Sequence, residues 1–156
     1  MSNDQLYRRG VGVMLLNRDG KVFVGARVDN SDEAWQMPQG GIDEGEDPWG
    51  TALRELEEET GITLHLVERI SECPERLKYD LPEELRGKLW GGRFIGQDQD
   101  WYLARFLGTD ADVNIATIHP EFREWKWIEP GQLPELIVPF KRDLYRRLLR
   151  EFADYL

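Results

Sequence analysis

Two short apolar stretches near the start of the sequence show the pattern of β-strands. Residues 8–17 and 21–26 are rich in Val, Leu and Phe, and the turn sequence Arg-Asp-Gly separates them. Strand-forming runs that are joined by a turn of this kind typically pair with each other. The pattern therefore predicts a β-hairpin.

Apolar residues recur at helical spacing after residue 47. Asp47 and Pro48 form a typical helix start, with aspartate as the N-cap and proline in the first turn. Gly61 supplies a stop signal. The pattern predicts a helix over residues 48–60, and its core-facing stripe consists of Trp49, Ala52, Leu53 and Leu56.

The rest of the chain mixes strand patterns with one further helix pattern. Residues 62–70, 101–107 and 125–128 are rich in strand-forming residues. A polar segment between the first two has a Leu-Pro-Glu-Glu-Leu centre, which is compatible with a helical turn. Residues 140–155 are predicted to form a terminal helix, whose basic side chains are Lys141, Arg142, Arg146, Arg147 and Arg150.

Length and composition fit one globular domain, which we expect to span residues 1–156. The net charge is −10, and 40% hydrophobic residues provide enough material for one core. No apolar run is long enough to cross a bilayer, the N-terminal stretch lacks the apolar segment of a secretory signal, and one cysteine excludes a disulfide framework. We therefore expect a soluble cytoplasmic protein without a membrane or DNA partner. Because the acidic field repels polyanions, a polyanionic substrate requires local basic groups or metal ions.

A cluster of glutamates is a candidate for chemistry. Glu55, Glu58 and Glu59 are spaced at i, i+3 and i+4, which places three carboxylates on one side of the predicted helix, opposite the apolar stripe. This spacing alone fits a solvated acidic face as well as a metal site. If divalent cations occupy the cluster, they remove its repulsion, and oxygen ligands without His or Cys favour Mg²⁺ or Mn²⁺.

Fixed offsets around this helix decide between the two interpretations. Gly40, Glu46, Arg54 and Gly61 complete the pattern G-x5-E-x7-R-E-U-x-E-E-x-G-U, where U is a bulky aliphatic residue, without a mismatch. The pattern is the signature of the Nudix hydrolases, which this chain resembles. The resemblance implies an α/β fold, the α/β/α sandwich with a mixed β-sheet. It also implies Mg²⁺-dependent cleavage of nucleoside diphosphates that are linked to another group.

The same resemblance implies a role for each matched position of the pattern. The metals are bound by Glu55, Glu58 and Glu59, with the backbone carbonyl of Gly40 as a further ligand. The remaining charged positions, Arg54 and Glu46, are largely structural and brace the loop and the helix.

The resemblance extends over nearly the whole chain to one group within this family. Its motifs are Tyr7-Arg8-Arg9, the WQMPQGGI segment at 35–42, Gly96-Gln97-Asp98-Gln99, Pro120-Glu121-Phe122 and Phe140-Lys141-Arg142-Asp143. They are similar to motifs of bacterial RNA 5′-pyrophosphohydrolases, and most of them are shared with plant diadenosine tetraphosphate hydrolases. The compact interval from Tyr79 to Gly96 favours the bacterial type.

Further site positions follow from this resemblance. Glu121 matches a distant glutamate that faces the metals as a ligand or general base; taken alone, it is a surface carboxylate. The matched substrate-binding positions are Arg27, Tyr79, Val138, Phe140 and Lys141. The two aromatic residues among them sandwich a base, and the two cations lie near phosphate or base. The other basic residues of the terminal helix either extend a path for RNA or balance nearby acidic surface.

One segment departs from the group. Where related sequences often carry lysine, this chain has Asp98 and Asp100. If those lysines help to hold a polyphosphate, the two aspartates weaken affinity for a highly charged 5′ end or shift the substrate preference. Gln97 and Gln99 remain as hydrogen-bonding groups in this segment.

The expected reaction is hydrolysis of the 5′ polyphosphate of triphosphorylated RNA, which leaves a 5′-monophosphate and marks transcripts for decay. A metal-activated water attacks phosphorus, and the catalytic carboxylates are Glu55, Glu58, Glu59 and Glu121. The motifs do not distinguish this substrate from diadenosine tetraphosphate, which is cut to ATP and AMP. A non-catalytic nucleotide- or RNA-sensing module is the third alternative; such modules typically lack some of the glutamates that this chain retains.

Overall fold

The computed structural model describes residues 6–29 and 34–156, which include every residue predicted for the site. The N-terminal stretch that lacks a signal-like segment includes residues 1–5, and these lie outside the described residues. In the described ranges, no helix combines the length and the apolar character needed to cross a membrane.

The predicted hairpin is confirmed. Strand β1 (Tyr7–Leu16) pairs antiparallel with β2 (Val22–Arg27) next to the turn. The Asn17 side chain accepts hydrogen bonds from the backbone N–H groups of Asp19 and Lys21, each at 3.0 Å. A short polar side chain that bonds to its own turn in this way fixes the turn geometry.

In the described part of the chain, the other strands complete a sheet of seven strands. They are β3 (Gln39–Gly41), β4 (Val67–Glu72), β5 (Leu77–Asp80), β6 (Gly96–Phe106) and β7 (Phe122–Ile128). The main order is β4-β6-β1-β2-β7, with β3 paired to β1 and β5 paired to β6. Strands β1 and β6 run parallel, and the other described ladders are antiparallel. The expectation of a mixed sheet is therefore confirmed.

Helices pack on both faces of the sheet. Helix α1 (Pro48–Thr60) lies on one face, and α2 (Leu133–Leu136) and α3 (Arg142–Glu151) lie on the other. Side chains of β1 alternate between the two faces, as the strand period requires. Val13 belongs to the apolar cluster of α1, whereas Met14 belongs to that of α3. This arrangement is the expected α/β/α sandwich.

Several element boundaries differ from the sequence prediction. The segment 62–70 becomes a strand only at Val67, because residues 64–66 form a 3-10 turn. Strand β6 begins at Gly96 rather than at residue 101. The residues at 97–99 are polar although buried, so the apolar pattern did not reveal the start of the strand. The turn expected in Leu-Pro-Glu-Glu-Leu is present, and the terminal helix is confirmed, with a 3-10 turn at each end of α3. The sequence analysis did not predict β3, β5 or α2, which are too short to show a period.

Candidate active site

A cavity of about 800 Å³ brings the predicted site residues together. All ten of them line it: Arg27, Gly40, Glu55, Glu58, Glu59, Tyr79, Glu121, Val138, Phe140 and Lys141. They come from β2, β3, α1 and β5 and from the segments that precede β7 and α3. Residues that are far apart in the sequence therefore share one concave surface.

Helix α1 begins and ends where the sequence predicts. The Asp47 side chain accepts a hydrogen bond of 2.8 Å from the Gly50 N–H, which satisfies one of the free donors of the first turn. At the other end Gly61 has φ 74°, and its N–H bonds to the Glu57 carbonyl at 2.8 Å. These caps define the length of the helix and hold its glutamates beside β3.

The three glutamates of α1 differ in exposure. The Glu58 side chain is 57% exposed, whereas Glu59 is only 4% exposed. Glu59 follows Ala52 by seven positions and Leu56 by three, so it lies at the edge of the same stripe as these core residues. The expectation that all three carboxylates lie opposite the apolar stripe is therefore wrong for Glu59. Leu53, which was expected in the stripe, is only partly buried.

Gly40 makes room for one of these carboxylates. A Cβ atom built on Gly40 would overlap the carboxyl group of Glu55. Gly40 lies in β3 opposite Val11 of β1, so its backbone is held by the sheet. The absence of a side chain at this position is what allows the Glu55 carboxylate to approach the backbone.

Burial and mutual repulsion shift the protonation of two of the glutamates. Burial, followed by the charge of Glu58, raises the pKa of Glu55 to about 7. Burial and then the charges of Glu55 and Glu121 raise the pKa of Glu59 well above its ordinary value, and a hydrogen bond from the Gln39 backbone only partly opposes this. Oxygen Oε2 of Glu59 has no hydrogen-bond partner in the described part of the chain.

Arg54 offsets part of the negative charge on this helix. Its guanidinium lies 3.1 Å from a Glu58 oxygen, 3.4 Å from a Glu55 oxygen and 3.4 Å from a Glu46 oxygen. Glu46 also accepts a hydrogen bond of 2.8 Å from the Asp43 N–H, and this bond lowers the pKa of Glu46. Arg54 and Glu46 thus connect the loop before α1 to the helix, as the resemblance implies.

The carboxylates of the cavity are the kind of ligand that divalent cations such as Mg²⁺ bind. They supply only oxygen, which hard cations such as Mg²⁺ bind in preference to nitrogen or sulfur. The buried, unpartnered Oε2 of Glu59 and the raised pKa values of Glu55 and Glu59 mark a place where positive charge is missing. Within residues 6–29 and 34–156, however, no three Asp, Glu, His or Cys side chains are grouped as a ready coordination sphere. Glu58, for example, is turned toward Arg54.

Arg27 is held rigidly at the end of β2. Asp29 accepts two hydrogen bonds from its guanidinium, at 2.8 and 2.7 Å, and the nearest Glu121 oxygen lies at 3.7 Å. Such a two-point contact fixes the plane of a guanidinium. The Val28 N–H donates to the Glu121 carbonyl at 2.9 Å, which ties the two segments together. Arg27 and Glu121 therefore face the cavity as a connected pair.

The predicted aromatic pair is in direct contact. The ring centroids of Tyr79 and Phe140 lie 6.0 Å apart, and the ring planes are tilted by 42°. A base between two parallel rings requires a separation of about 7 Å, twice a carbon–carbon contact. The rings must therefore turn and separate slightly to enclose a base. The Lys141 ammonium lies 5.1 Å from the Tyr79 centroid and is buried, and this burial lowers the pKa of Lys141 to about 7.

Sequence reasoning missed a further cation of the cavity. Arg8 belongs to the Tyr-Arg-Arg motif and is not among the predicted site residues, yet it lines the cavity, and its guanidinium lies 5.3 Å from the Trp90 ring centroid. A Cβ on Gly41 would overlap the Arg8 guanidinium, so the glycine pair after Gln39 serves two cavity side chains. The Tyr-Arg-Arg motif contains the signal, but only the structure shows which arginine faces the cavity: Arg8 lines it, whereas Arg9 lies 3.0 Å from Asp100.

Asp98 and Asp100 do not line the cavity. The Asp98 carboxylate is buried and lies 3.4 Å from the Arg76 guanidinium, and Asp100 lies 3.0 Å from Arg9. Both aspartates have local partners of opposite charge. The expectation that they weaken the binding of a charged 5′ end gains no support from this placement.

The basic residues of α3 are also partly balanced. Arg146 lies 3.1 Å from Asp143, and Arg147 lies 2.8 Å from Glu151. Exposed pairs of this kind contribute little to stability, but they reduce the net positive charge of the helix surface. Of the two interpretations of this cluster, the pairs favour local charge balance over an extended RNA path.

Comparisons with known proteins relate the whole chain to one family. The sequence matches the NUDIX domain over residues 6–148. It is 59% identical to the RNA pyrophosphohydrolase of Erythrobacter litoralis over 153 residues, which are 97% of this chain and 93% of that protein. It is 58% identical to the RNA pyrophosphohydrolase of Sphingopyxis alaskensis over 154 residues, or 98% of each chain.

Solved structures show the same fold at lower identity. A C. elegans Ap4A hydrolase, solved as a binary complex, superposes with a TM-score of 0.67 at 23% identity, over 95% of this chain and 99% of that chain. The E. coli dihydroneopterin triphosphate pyrophosphohydrolase gives a TM-score of 0.69 at 19% identity, over 93% and 98%. These structures show the fold, whereas the domain match over residues 6–148 and the relatives at 58–59% identity show that the chain belongs to the NUDIX family.

Proposed function

We propose that this chain is an RNA pyrophosphohydrolase. It hydrolyses the 5′ polyphosphate of triphosphorylated RNA, releases pyrophosphate or successive phosphates and leaves a 5′-monophosphate. The relatives that are 58–59% identical over almost the full chain carry this name, which supports the substrate assignment.

The observation that carries the proposal is the convergence of three kinds of side chain in one cavity. Carboxylates of α1, the Tyr79–Phe140 ring pair and the cations Arg27 and Lys141 all line it. The rings suit a nucleobase, the cations suit phosphate, and the carboxylates suit the cations that accompany a polyphosphate. A nucleotide with a 5′ polyphosphate is the ligand that uses all three.

The metal proposed for the site is Mg²⁺, in line with the general use of divalent cations by Nudix hydrolases. Its ligands are drawn from Gly40, Glu55, Glu58, Glu59 and Glu121. When bound, Mg²⁺ neutralises phosphate charge and makes an attacking water more acidic.

The chain's own residues position the reactants. Arg27, fixed by Asp29, contacts phosphate and holds the polyphosphate against the carboxylates. The oxygen of water forms a bond to phosphorus, the bond from phosphorus to the leaving phosphate oxygen breaks, and the water proton passes to a carboxylate. The candidates for that carboxylate are Glu121 and the glutamates of α1.

Diadenosine tetraphosphate is the competing substrate, because the ring pair and the cations bind a nucleotide irrespective of the group that its polyphosphate carries. The comparison that separates the two is kcat/KM of the purified protein in Mg²⁺ for 5′-triphosphorylated RNA and for diadenosine tetraphosphate. We expect a higher value for RNA. Consumption of the dinucleotide alone contradicts the proposal, and binding without metal-dependent turnover indicates a sensing module.

A further inference from the structure

Alternate residues of β6 form a hydrogen-bonded chain that leads from the core to the cavity. Trp101 Nε1 donates to Gln99 Oε1 at 2.9 Å, and Gln99 Nε2 donates to Gln97 Oε1 at 2.6 Å. The second contact of Gln99 Nε2 is Gln39 Oε1, at 3.4 Å. Trp101 and Gln99 are fully buried and do not line the cavity, whereas Gln97 and Gln39 do.

The direction of this chain is set at its buried end. An indole N–H can only donate, so the Gln99 atom that faces Trp101 must be the carbonyl oxygen. The Gln99 amide nitrogen then points the other way. Its two hydrogens are donated to the side-chain carbonyl oxygens of Gln97 and Gln39. Gln97 Oε1 is therefore held by Gln99 and lies against Gly10 of β1, which leaves the Gln97 amide nitrogen, whose N–H groups these bonds do not use, as the donor that Gln97 can offer to the cavity.

Gln39, the second acceptor of this hydrogen-bonded chain, also contacts Lys141 and Tyr79. Gln39 Oε1 also accepts from Lys141 Nζ at 3.5 Å. Burial raises the pKa of Tyr79 to about 12, and the nearby Gln39 side chain partly opposes this rise. Gln39 Oε1 therefore accepts from both Lys141 and Gln99.

Two glycines of β1 leave space for the hydrogen-bonded side chains of β6. A Cβ on Gly12 would lie 2.5 Å from the Trp101 ring, and a Cβ on Gly10 would lie 2.9 Å from Gln97 Oε1. Glycine inside a strand weakens it, because no side chain packs there and more conformational freedom is lost on folding. Two such positions beside the chain indicate that its side chains occupy a built site rather than an accidental gap.

We propose that Trp101 is a positioning residue, which acts through Gln99 to orient Gln97 as a hydrogen-bond donor toward a substrate oxygen. This inference rests on the proposed function, because it requires a nucleotide polyphosphate in the cavity. In an acidic protein, a fixed neutral donor adds attraction for phosphate or base oxygens without a further ionisable group. If the amide of Gln97 were reversed, its carbonyl oxygen would face the substrate and repel it.

The test replaces the Trp101 indole by benzothiophene, using 3-benzothienylalanine, which keeps the ring shape and removes the N–H donor. We expect KM for triphosphorylated RNA to rise on the order of tenfold, with kcat much less affected. Trp127 provides the matched control, because its Nε1 donates at 2.8 Å to Asp110 outside the cavity. The same replacement there is expected to leave KM unchanged.

A double-mutant cycle with Gln97→Met separates positioning from packing. Gln97→Met alone is expected to raise KM, and the change at Trp101 is then expected to add little in that background. Equal effects of the Trp101 change with and without Gln97, or no effect of Gln97→Met, would overturn the inference. Trp101→Phe, measured in the same cycle, covers the case in which the benzothiophene variant does not fold.

Failure of the proposed function has a different signature. If the protein does not hydrolyse RNA, the proposed function is wrong. The double-mutant cycle of Trp101 and Gln97 is then carried out with the Kd for ATP, measured in EDTA, as the readout. Loss of ATP affinity that depends on Gln97 supports the positioning role, and independent losses contradict it.

Discussion

The Glu55 carboxylate occupies the space that a side chain on Gly40 would fill. Gly40→Ala is therefore expected to displace Glu55 and to lower kcat/KM on the order of 100-fold, as small misplacements of reacting groups do. Gly131→Ala is the matched control, because a Cβ there meets nothing within 4 Å. Steady-state hydrolysis of triphosphorylated RNA measures both. Equal activity of the two variants would show that the Gly40–Glu55 contact has no role.

Glu59 is the most deeply buried carboxylate of the site. Glu59→Gln keeps the shape and removes the charge, so we expect most of the turnover to disappear while the melting temperature does not fall. The neutral amide also avoids the cost of a buried negative charge. Glu57→Gln, an exposed change on the same helix, should retain activity. An active Glu59→Gln enzyme refutes the role assigned to Glu59.

We expect Asp29 to affect substrate binding by holding the Arg27 guanidinium in place. Arg27→Lys loses the two-point contact with Asp29, and we expect KM to rise about tenfold with a smaller change in kcat. Asp29→Asn should give a weaker change in the same direction. Arg105→Lys, an exposed change on β6 outside the cavity, serves as the control. If Arg27→Lys matches this control in KM, Arg27 does not hold phosphate.

Phe140 is expected to contribute base stacking. Stacking on an aromatic ring is worth about 1–3 kcal/mol per base, so Phe140→Ala should raise KM on the order of tenfold or more. Phe140→Tyr keeps the ring and should restore most of the affinity. Steady-state kinetics on RNA with purine and pyrimidine 5′ ends measures the effect. If Phe140→Ala retains the KM of the unchanged protein, the stacking role is wrong.

Cys73 should be chemically inert in the folded protein. Burial raises the pKa of its thiol to about 12, and the thiolate is the reactive form. Below its ordinary pKa near 9, the thiol is protonated in both the folded and the unfolded state. Stability is therefore independent of this group at neutral pH and falls as pH rises above about 9. Alkylation by iodoacetamide at pH 8 should be slow in the native protein and fast in denaturant. Rapid native labelling contradicts this prediction.

Local signals in the sequence predicted much of this fold. Asp47 and Gly61 define α1 because capping depends on neighbouring residues only. The hairpin followed from the turn after Leu16 for the same reason. By contrast, β5 is four residues long, and its position beside β6 depends on pairing across the sheet, which no local pattern reveals.

For the site, too, local patterns were predictable from the sequence, whereas contacts between distant segments were not. The offsets from Gly40 to Ile62 identified the glutamates, but the burial of Glu59 became visible only with its helical phase relative to Leu56. The place of Arg8 in the cavity became visible only from the approach of β3 to β1. The partners of Asp98 and Asp100 became visible only from contacts between segments that are distant in the sequence. Contacts between distant segments therefore account for most of what the sequence alone did not reveal.

The most direct test of the central claim is the amount of 5′-monophosphorylated RNA formed from a triphosphorylated transcript in Mg²⁺ and in EDTA. The account predicts conversion in Mg²⁺ and none in EDTA, with Glu59→Gln close to the EDTA level in both. A 5′ end that stays intact in Mg²⁺, or that is converted equally in EDTA, would contradict it.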